Sequence, residues 1–477
     1  MQQLLDSPLA AAAAHLDRPA VLDAGRTWTW RQIHEASIAL SRRFGDASAV
    51  CNLCVSRVGF LVTCLAALRH GSLLVLPPSG GNAELTAVLQ AAARPVVVGD
   101  PEAWPEAWCD ERSTPYLSCQ PDWQPARASA EALAWRPAWD ETAVLLYTSG
   151  STGAPEPQAK TLLHLARGAL VLGARLEAEV EGGLAAIGRI VCSVPPQHMF
   201  GLECSVMLPL VHGIPVLDKR PLLPADVSAA FAGAPAGAWI ATPMHLRSLV
   251  QSAVAVPCCS VVIASTMPLT QAVARQSEQL VQAPVLEIYG STETGALAMR
   301  RTARGTAWRP MDGVRLEAGD DAMLGHGTHF ASPVKLLDEL LVEPDGTFTL
   351  LGRQTDLVKI AGRRTSLAGL NLLLQDLPGL EDGVFYLPAT GSPTERLCLI
   401  HSGPPLDRAA TRRWLRERLD PVFLPRAFIR VDHLPRSDNG KLRRQSLDQV
   451  FAEWQSAAQQ PPPAPRPVPA KRRVAVS

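Results

Sequence analysis

The segment AVLLYTSGSTG, residues 143–153, joins an apolar run to a loop of glycine, serine and threonine. The run from Ala143 to Tyr147 is typical of a buried strand. Glycines permit positive φ, so successive backbone N–H groups can converge on one anion, and the hydroxyls add further donors. The segment therefore predicts a strand followed by a phosphate-binding loop. A Ser/Gly surface turn has the same composition, so the segment alone leaves both alternatives open.

The order of apolar runs around this segment indicates the fold class. Strand-like runs occur at residues 73–77, 95–98, 190–194, 214–217, 261–264 and 285–289, and helix-like segments occur at 60–68 and 161–172. Such alternation predicts an α/β fold of layered sheets and helices rather than an all-α or all-β fold. The second helix would start just beyond the phosphate loop.

Length and charge limit the possible functions. The chain has 477 residues, too many for one core, and its 45 Lys and Arg equal its 45 Asp and Glu. Neutrality gives no general attraction to nucleic acid or to an anionic membrane. No secretory leader and no apolar run of transmembrane length is evident, which predicts a cytoplasmic protein without a membrane span. The ten cysteines read as reduced thiols, and the Cys51/Cys54 pair lacks the partners of a zinc site.

A change in the pattern of the sequence, from long apolar runs to a turn and a short strand, indicates a domain boundary. The turn sequence Glu343–Thr347 precedes a short strand at 348–351 and then Arg353. We therefore expect an N-terminal domain over residues 1–352, a C-terminal domain over 353–458 and a disordered tail over 459–477. The tail is rich in proline and ends in basic residues, which cannot bury a core.

Four further segments follow the phosphate loop in order. They are PPQHMFG (195–201), YGSTETG (289–295), LGRQTDLVKIAGRR (351–364) and LPRSDNGKLRR (434–444). Together with the loop they resemble the adenylate-forming ligases, which include acyl-CoA synthetases, aryl-acid ligases and the adenylation domains of peptide synthetases. The resemblance covers residues 20–450. It implies a large N-terminal domain of layered α/β subdomains and a small, mobile α+β C-terminal domain. The small domain would rotate between two half-reactions, adenylation by ATP and transfer of the acyl group to a thiol.

The resemblance implies roles for the matched residues in ATP binding. The β and γ phosphates would be held by Thr148, Ser149, Gly150, Ser151, Thr152 and Gly153. Tyr289, with Gly290 and Ser291, would lie against the adenine, Thr292 would touch the α-phosphate, and Glu293 would help to hold Mg²⁺, a cation that favours oxygen ligands. For Tyr289 a buried structural role is the alternative.

Asp338 would bind the ribose hydroxyls, and Arg353, fifteen residues later, would reach the ribose or phosphate side. The Thr-Gly that usually precedes this aspartate is missing, so a surface acidic pair is the alternative for Asp338.

Other matched residues would serve the acyl group and the second half-reaction. Lys441 would bridge the carboxylate and the α-phosphate as negative charge builds, a task that suits its compact charge. Lys359 and Gly362 would lie near the active site during thioester formation. His198 would border the acyl pocket or the thiol tunnel, with an ordinary turn histidine as the alternative. Ser265, Thr266 and Met267 would line the acyl and adenine pockets.

The phosphate loop departs from the common pattern. A lysine usually follows its proline, but Glu156 follows Pro155 here, and Lys160 is the nearest substitute. We expect Lys160 to fill that role in part. This altered loop is similar to that of stand-alone ligases of aryl-polyene pigment pathways, of the xanthomonadin type, which load an aryl acid onto an acyl carrier protein.

The sequence thus predicts an ATP- and Mg²⁺-dependent acid–thiol ligase. The substrate would be an aryl acid such as a hydroxybenzoate, and the acceptor an acyl carrier protein supplied in trans. Coenzyme A is the alternative acceptor, with a fatty or aryl acid as substrate. A catalytically silent nucleotide- or acyl-binding relative is an alternative of a different class, because the loop lysine is missing. A further alternative is an unrelated P-loop kinase or ATPase, which would release ADP rather than AMP.

Overall fold

The computed structural model describes residues 16–23, 25–77, 82–100, 114–119, 127–133, 137–149, 155–320, 322–353, 357–360, 363–374, 377–388, 396–436, 442 and 444–459. These residues divide into two compact units, one that runs through Arg353 and one that begins at Leu357. Arg353, which the sequence placed at the start of the C-terminal domain, ends a strand of the first unit. Among the described helices, none combines the length and apolar character needed to cross a membrane.

The strands of the first unit alternate with helices along the chain. The strands are β1 Pro19–Asp23, β2 Arg26–Thr29, β3 Ala49–Asn52, β4 Leu73–Leu76, β5 Pro95–Gly99, β6 Tyr116–Ser118, β7 Thr142–Ser149, β8 Pro155–Thr161, β9 Ile190–Cys192, β10 Val216–Leu217, β11 Gly237–Ala241, β12 Cys259–Ala264, β13 Val285–Ser291, β14 Gly295–Arg301, β15 Arg309–Pro310, β16 Arg315–Ala318, β17 Met323–His326, β18 Val334–Lys335, β19 Asp338–Val342 and β20 Phe348–Arg353. The helices are α1 Trp30–Ser41, α2 Arg57–His70, α3 Asn82–Ala91, α4 Ala130–Leu133, α5 Leu162–Glu179, α6 Met199–Leu202, α7 Leu208–His212, α8 Pro224–Phe231, α9 Pro243–Ser252 and α10 Gln271–Val281. A π-helical segment, Glu203–Met207, joins α6 to α7.

Two large sheets organise this unit. The nine-stranded sheet has the order β15-β14-β13-β12-β11-β9-β10-β1-β2, and the six-stranded sheet has the order β6-β5-β3-β4-β7-β8. Strands β13, β12, β11, β9, β10 and β1 are parallel to their neighbours in that series. Their sequences are mostly apolar, as in Gly237–Ala241, because a parallel sheet is covered on both faces. The α/β prediction is therefore confirmed, and each of the six predicted strands forms.

One continuous apolar core connects the two sheets. It contains Val50 and Val144 of the six-stranded sheet, Ile190 of the nine-stranded sheet, and Leu61 and Leu172 of the long helices. Helix α2 begins after the N-cap Ser56 and ends at Gly71, whose φ of 76° lies in the left-handed region that glycine tolerates. Helix α5 begins after the N-cap Thr161, where the sequence predicted a helix.

The second unit is a small α+β structure. Its strands are β21 Leu357–Ile360, β22 Arg363–Ser366, β23 Asp382–Tyr386, β24 Cys398–Ser402 and β25 Ala427–Arg430, and its helices are α11 Leu367–Leu374, α12 Arg408–Arg416 and α13 Arg444–Gln459. β23, β24 and β25 form a three-stranded sheet, and β21 and β22 form a hairpin. The unit has its own apolar core, which includes Phe385, Leu399 and Leu415.

Candidate active site

Several predicted site residues meet at one edge of the nine-stranded sheet. The parallel strands β9, β12 and β13 end at the same edge, because parallel strands share one direction. The segments that follow them contain His198, Ser265–Met267 and the acidic turn, residues 290–296. Ligands of α/β sheets bind in the crevice outside the carboxyl ends of the strands. The topology therefore gathers residues that are far apart in the sequence at a place suited to a ligand.

Tyr289 and Asp338 are in direct contact. The Tyr289 hydroxyl donates a hydrogen bond of 2.7 Å to Oδ2 of Asp338. The ring packs against Trp308 and Phe348, with centroid distances of 5.6 and 5.8 Å. Asp338 is half-buried and lies opposite Arg353 in the β19–β20 pair. The structure thus brings together the three residues predicted for the adenine and ribose side.

The acidic turn has a closely fixed backbone. Ser291 N–H donates to the Thr294 hydroxyl at 3.0 Å, and Thr294 N–H donates to the Ser291 hydroxyl at 3.3 Å. A Cβ added at Gly290 would lie 1.9 Å from the Gly295 carbonyl oxygen, so only glycine fits there. Thr292 and Glu293 are half-buried between these fixed points. Their side chains therefore project from a turn with few backbone alternatives.

The hairpin of β7 and β8 leads into and out of the predicted phosphate loop, and we call it the phosphate-loop hairpin. It is hydrogen-bonded to the acidic turn. β7 and β8 pair antiparallel from Thr142 to Ser149, and Ser149 lies opposite Pro155. Lys160 of β8 is 6% exposed, and its Nζ donates a hydrogen bond to the main-chain oxygen of Glu293. Glu156, at the position where the family has its loop lysine, is exposed. The nearest lysine is thus buried and hydrogen-bonded to the acidic turn.

A buried cluster lies behind the acidic turn. The Glu203 carboxylate accepts a hydrogen bond from Ala296 N–H at 3.2 Å, and Nε2 of His329 lies 2.9 Å from the Ala296 oxygen. Because a carbonyl can only accept, this His329 nitrogen carries the proton. Burial lowers the pKa of Lys160 to about 8, against the raising effect of the Glu203 and Glu293 carboxylates.

Burial in the same cluster also shifts the pKa values of Glu203 and His329. Burial raises the pKa of Glu203 to about 7, against the lowering effects of the Ala296 hydrogen bond and of Lys160. Burial lowers the pKa of His329 to about 4, so its imidazole is neutral at physiological pH. Perturbed titratable groups concentrate at functional sites, which directs attention to this cluster.

Thr266 is strained at the same sheet edge. Its φ is +85°, a conformation that is unusual for a β-branched residue. Its hydroxyl is buried, and within the described residues it has no hydrogen-bond partner. The neighbouring Ser265 hydroxyl donates to the Ile288 oxygen at 3.0 Å. Strain that persists at a strand end is characteristic of ligand-binding sites.

His198 is the N-cap residue of α6 and is half-buried. Arg57, which is 1% exposed, holds the chain on both sides of His198 by donating to the Val194 oxygen at 2.8 Å and to the Ser205 hydroxyl at 3.0 Å. Arg57, Glu203 and His329 were not predicted from the sequence. One signal was available, since Glu203 is the only charged residue between Met199 and Val211.

Some predicted site residues lie outside the described part of the chain. These are Gly150, Ser151, Thr152, Gly153, Gly362 and Lys441. For Thr148, Ser149, Arg353 and Lys359 the backbone position is described, at the ends of β7 and β20 and within β21.

The donor set near Glu293 fits Mg²⁺. Within the described residues there is no group of three or more His, Cys, Asp or Glu side chains that could hold a metal ion. Mg²⁺ is commonly held by one or two carboxylates together with substrate phosphates and water. One half-buried carboxylate, on a turn hydrogen-bonded to the phosphate-loop hairpin, matches that pattern.

Comparisons with known proteins agree on a family. Residues 9–328 match the family described as AMP-binding enzyme. A 4-coumarate–CoA ligase from Cereibacter sphaeroides is 27% identical over 302 residues, which cover 62% of this chain and 69% of that protein. Enterobactin synthase component F of Shigella flexneri is 25% identical over 507 residues, which cover 91% of this chain and 39% of that protein.

A solved structure shares the fold. The anthranilate CoA ligase AuaEII in complex with anthranoyl-AMP matches with a TM-score of 0.77 and 15% identity, over 95% of this chain and 98% of that chain. Because the family match spans more than half of the sequence, the protein belongs to the AMP-binding enzyme family, the adenylate-forming acid–thiol ligases.

Proposed function

We propose that the protein activates an aryl carboxylic acid with ATP and transfers the acyl group to the phosphopantetheine thiol of a carrier protein. The observation that carries the proposal is the convergence at one sheet edge. Tyr289 bonded to Asp338 offers a nucleoside site, and the acidic turn is hydrogen-bonded to the phosphate-loop hairpin. An ATP molecule in this crevice would have its base at Tyr289 and its phosphates beside Glu293.

Each residue has a task in the proposed chemistry. In the first half-reaction an oxygen of the carboxylate attacks the α-phosphorus, the bond to the bridging oxygen breaks, and pyrophosphate leaves. Lys441 and Thr292 would stabilise the negative charge on the α-phosphate, and the phosphate loop would bind the departing pyrophosphate. Mg²⁺ held by Glu293 would neutralise phosphate charge. In the second half-reaction the thiolate attacks the acyl carbon and AMP leaves.

An aryl substrate is supported by two relatives. A 4-coumarate ligase and an anthranilate ligase are both named for aryl acids. The altered phosphate loop, with Glu156 after Pro155, also resembles that of the ligases of aryl-polyene pigment pathways.

We expect hydroxybenzoates or cinnamates to give the highest specificity constants in carboxylate-dependent ATP–pyrophosphate exchange. The matched comparison is a panel of short and long fatty acids under the same conditions. A preference for long fatty acids would contradict the aryl assignment. No exchange with any acid would favour the silent nucleotide-binding relative, and release of ADP would favour a kinase.

A groove on the second unit supports a protein acceptor. Arg396, Arg412, Arg416 and Arg426 line this arginine groove, which has a volume of about 290 Å³ and includes Val422 and Leu424. Arg408, Arg412 and Arg416 follow one another at four-residue spacing on α12. Like charges at this spacing destabilise a helix, so an anionic partner would relieve the repulsion. Residues 357–477 contain 19 Lys and Arg against 11 Asp and Glu.

Charge reversal in the arginine groove is expected to impair the carrier protein as acceptor. Arg412→Glu/Arg416→Glu should lower kcat/KM for a phosphopantetheinylated carrier by ~10-fold or more, with a weaker salt dependence, because charged rims steer association. Arg413→Glu is the control, since Arg413 lies on α12 outside the lining of the groove. Adenylation should be unchanged in both variants. An equal loss with coenzyme A would contradict a docking role, and transfer to coenzyme A alone by the wild type would reject the carrier assignment.

A further inference from the structure

Two buried charged side chains contact the main chain of the acidic turn. Lys160 and Glu203 are 6% and 3% exposed, and they come from β8 and from the π-helical segment that follows α6. Burying charged groups is costly, and apolar residues of similar volume often serve stability as well or better. A π-helical segment is also uncommon and is frequently found at functional sites. The pair therefore needs an explanation other than packing.

Both charges act on the backbone of the acidic turn. Lys160 donates to the Glu293 oxygen, and Glu203 accepts the Ala296 N–H with both oxygens, at 3.2 and 3.4 Å. His329 donates to the Ala296 oxygen from a third direction. Side chains from β8, from the π-helical segment and from the turn between β17 and β18 thus fix the main chain at residues 293 and 296.

A glycine in α5, Gly168, leaves space for the Glu203 carboxylate. A Cβ added at Gly168 of α5 would lie 3.0 Å from its Oε1, closer than Cβ contacts normally come. A residue larger than glycine on this face of α5 would crowd the carboxylate. The position of Glu203 therefore depends on α5, on the π-helical segment and on the turn that it supports.

We infer that Lys160 and Glu203 form a clamp that positions the acidic turn, so that the Glu293 carboxylate faces the metal and phosphates of bound ATP. The inference rests on the proposed function. Lys160 is then a positioning residue that acts through the Glu293 main chain, and it does not replace the missing phosphate-loop lysine by direct contact. This explains why its ammonium group is buried and hydrogen-bonded to the acidic turn.

The two charges also depend on each other. Lys160 lowers the pKa of Glu203, and Glu203 raises the pKa of Lys160, so each favours the charged form of the other. Removal of one leaves the other buried without this opposite charge, whereas removal of both leaves neither charge behind. A structural role and a positioning role therefore give different results in the double variant.

The experiment compares Lys160→Met, Glu203→Gln and the double variant with Arg175→Met. Arg175 is the matched control, a buried cation that donates to the Pro310 oxygen at 2.7 Å and makes no hydrogen bond to the acidic turn among the described contacts. Lys160→Met should raise the apparent Mg²⁺ requirement of ATP–pyrophosphate exchange by ~10–100-fold. It should weaken Mn²⁺ binding to the complex with a non-hydrolysable ATP analogue, followed by electron paramagnetic resonance, by a similar factor.

Arg175→Met should lower only the thermal unfolding midpoint. The double variant should regain part of the midpoint lost in the single variants while its Mn²⁺ binding stays weak. Mn²⁺ binding by Lys160→Met equal to that of Arg175→Met, or recovery of Mn²⁺ binding in the double variant, would overturn the clamp. The Mn²⁺ measurement needs no turnover, so it tests the clamp even if no acid supports exchange and the proposed function fails.

Discussion

Replacing Lys441 by alanine is expected to slow aryl-adenylate formation by ~10²–10³-fold, the usual effect of removing one group that stabilises transition-state charge. The lysine directly follows the sequence Asn439-Gly440 in the last of the matched motifs. Its ammonium would contact the carboxylate and the α-phosphate only while the bond between them forms. The measurement is single-turnover adenylation with the preferred acid.

The second half-reaction provides the internal test of this assignment. Thioester formation from a supplied aryl-adenylate should stay within about twofold of the wild-type rate, since a group used in one transition state alone affects one step alone. Lys471→Ala, which removes a lysine from the proline-rich tail, is the control for loss of charge. Equal slowing of both half-reactions would show that Lys441 has a general structural role.

Glu293→Gln is expected to have the second largest effect. The substitution keeps the shape of the side chain and the main-chain oxygen that receives the Lys160 hydrogen bond, and it removes only the carboxylate charge. We expect the apparent Mg²⁺ constant in the exchange assay to rise by ~10–100-fold, because amide oxygens are poorer ligands for this hard cation. Saturating Mg²⁺ should restore part of the rate.

The control for Glu293→Gln is the same substitution at a glutamate outside the site. Glu343→Gln changes an exposed glutamate in the turn between β19 and β20, far along the chain from the acidic turn, and should leave the Mg²⁺ constant unchanged. Binding of the ATP analogue without metal should be similar in both variants. An unaltered Mg²⁺ constant in Glu293→Gln would exclude this carboxylate as a ligand. The clamp predicts that Lys160→Met changes the same constant in the same direction.

Local signals in the sequence were sufficient for the strands that consist of contiguous apolar runs, whereas the roles of the motif residues were predicted from the resemblance. The apolar runs that became β4, β5, β9, β12 and β13 are contiguous, so their composition predicted strands without knowledge of their partners. The acidic turn was recognisable because glycine and hydroxyl residues follow such a run directly. The sequence singled out Lys160 only as the lysine nearest to an altered loop. Which way its side chain points depends on the pairing of β8 with β7.

The sequence by itself determined the α/β class, the order of the motifs and the residues with chemistry to offer. Tertiary structure alone decided that Tyr289 bonds to Asp338, that Glu203 and His329 support Ala296, and that Lys160 reaches Glu293. The physical reason is the range of each interaction. Strand and turn preferences act between neighbours in the chain, whereas a buried charge is stabilised only by groups that the topology of the two sheets brings within hydrogen-bond distance.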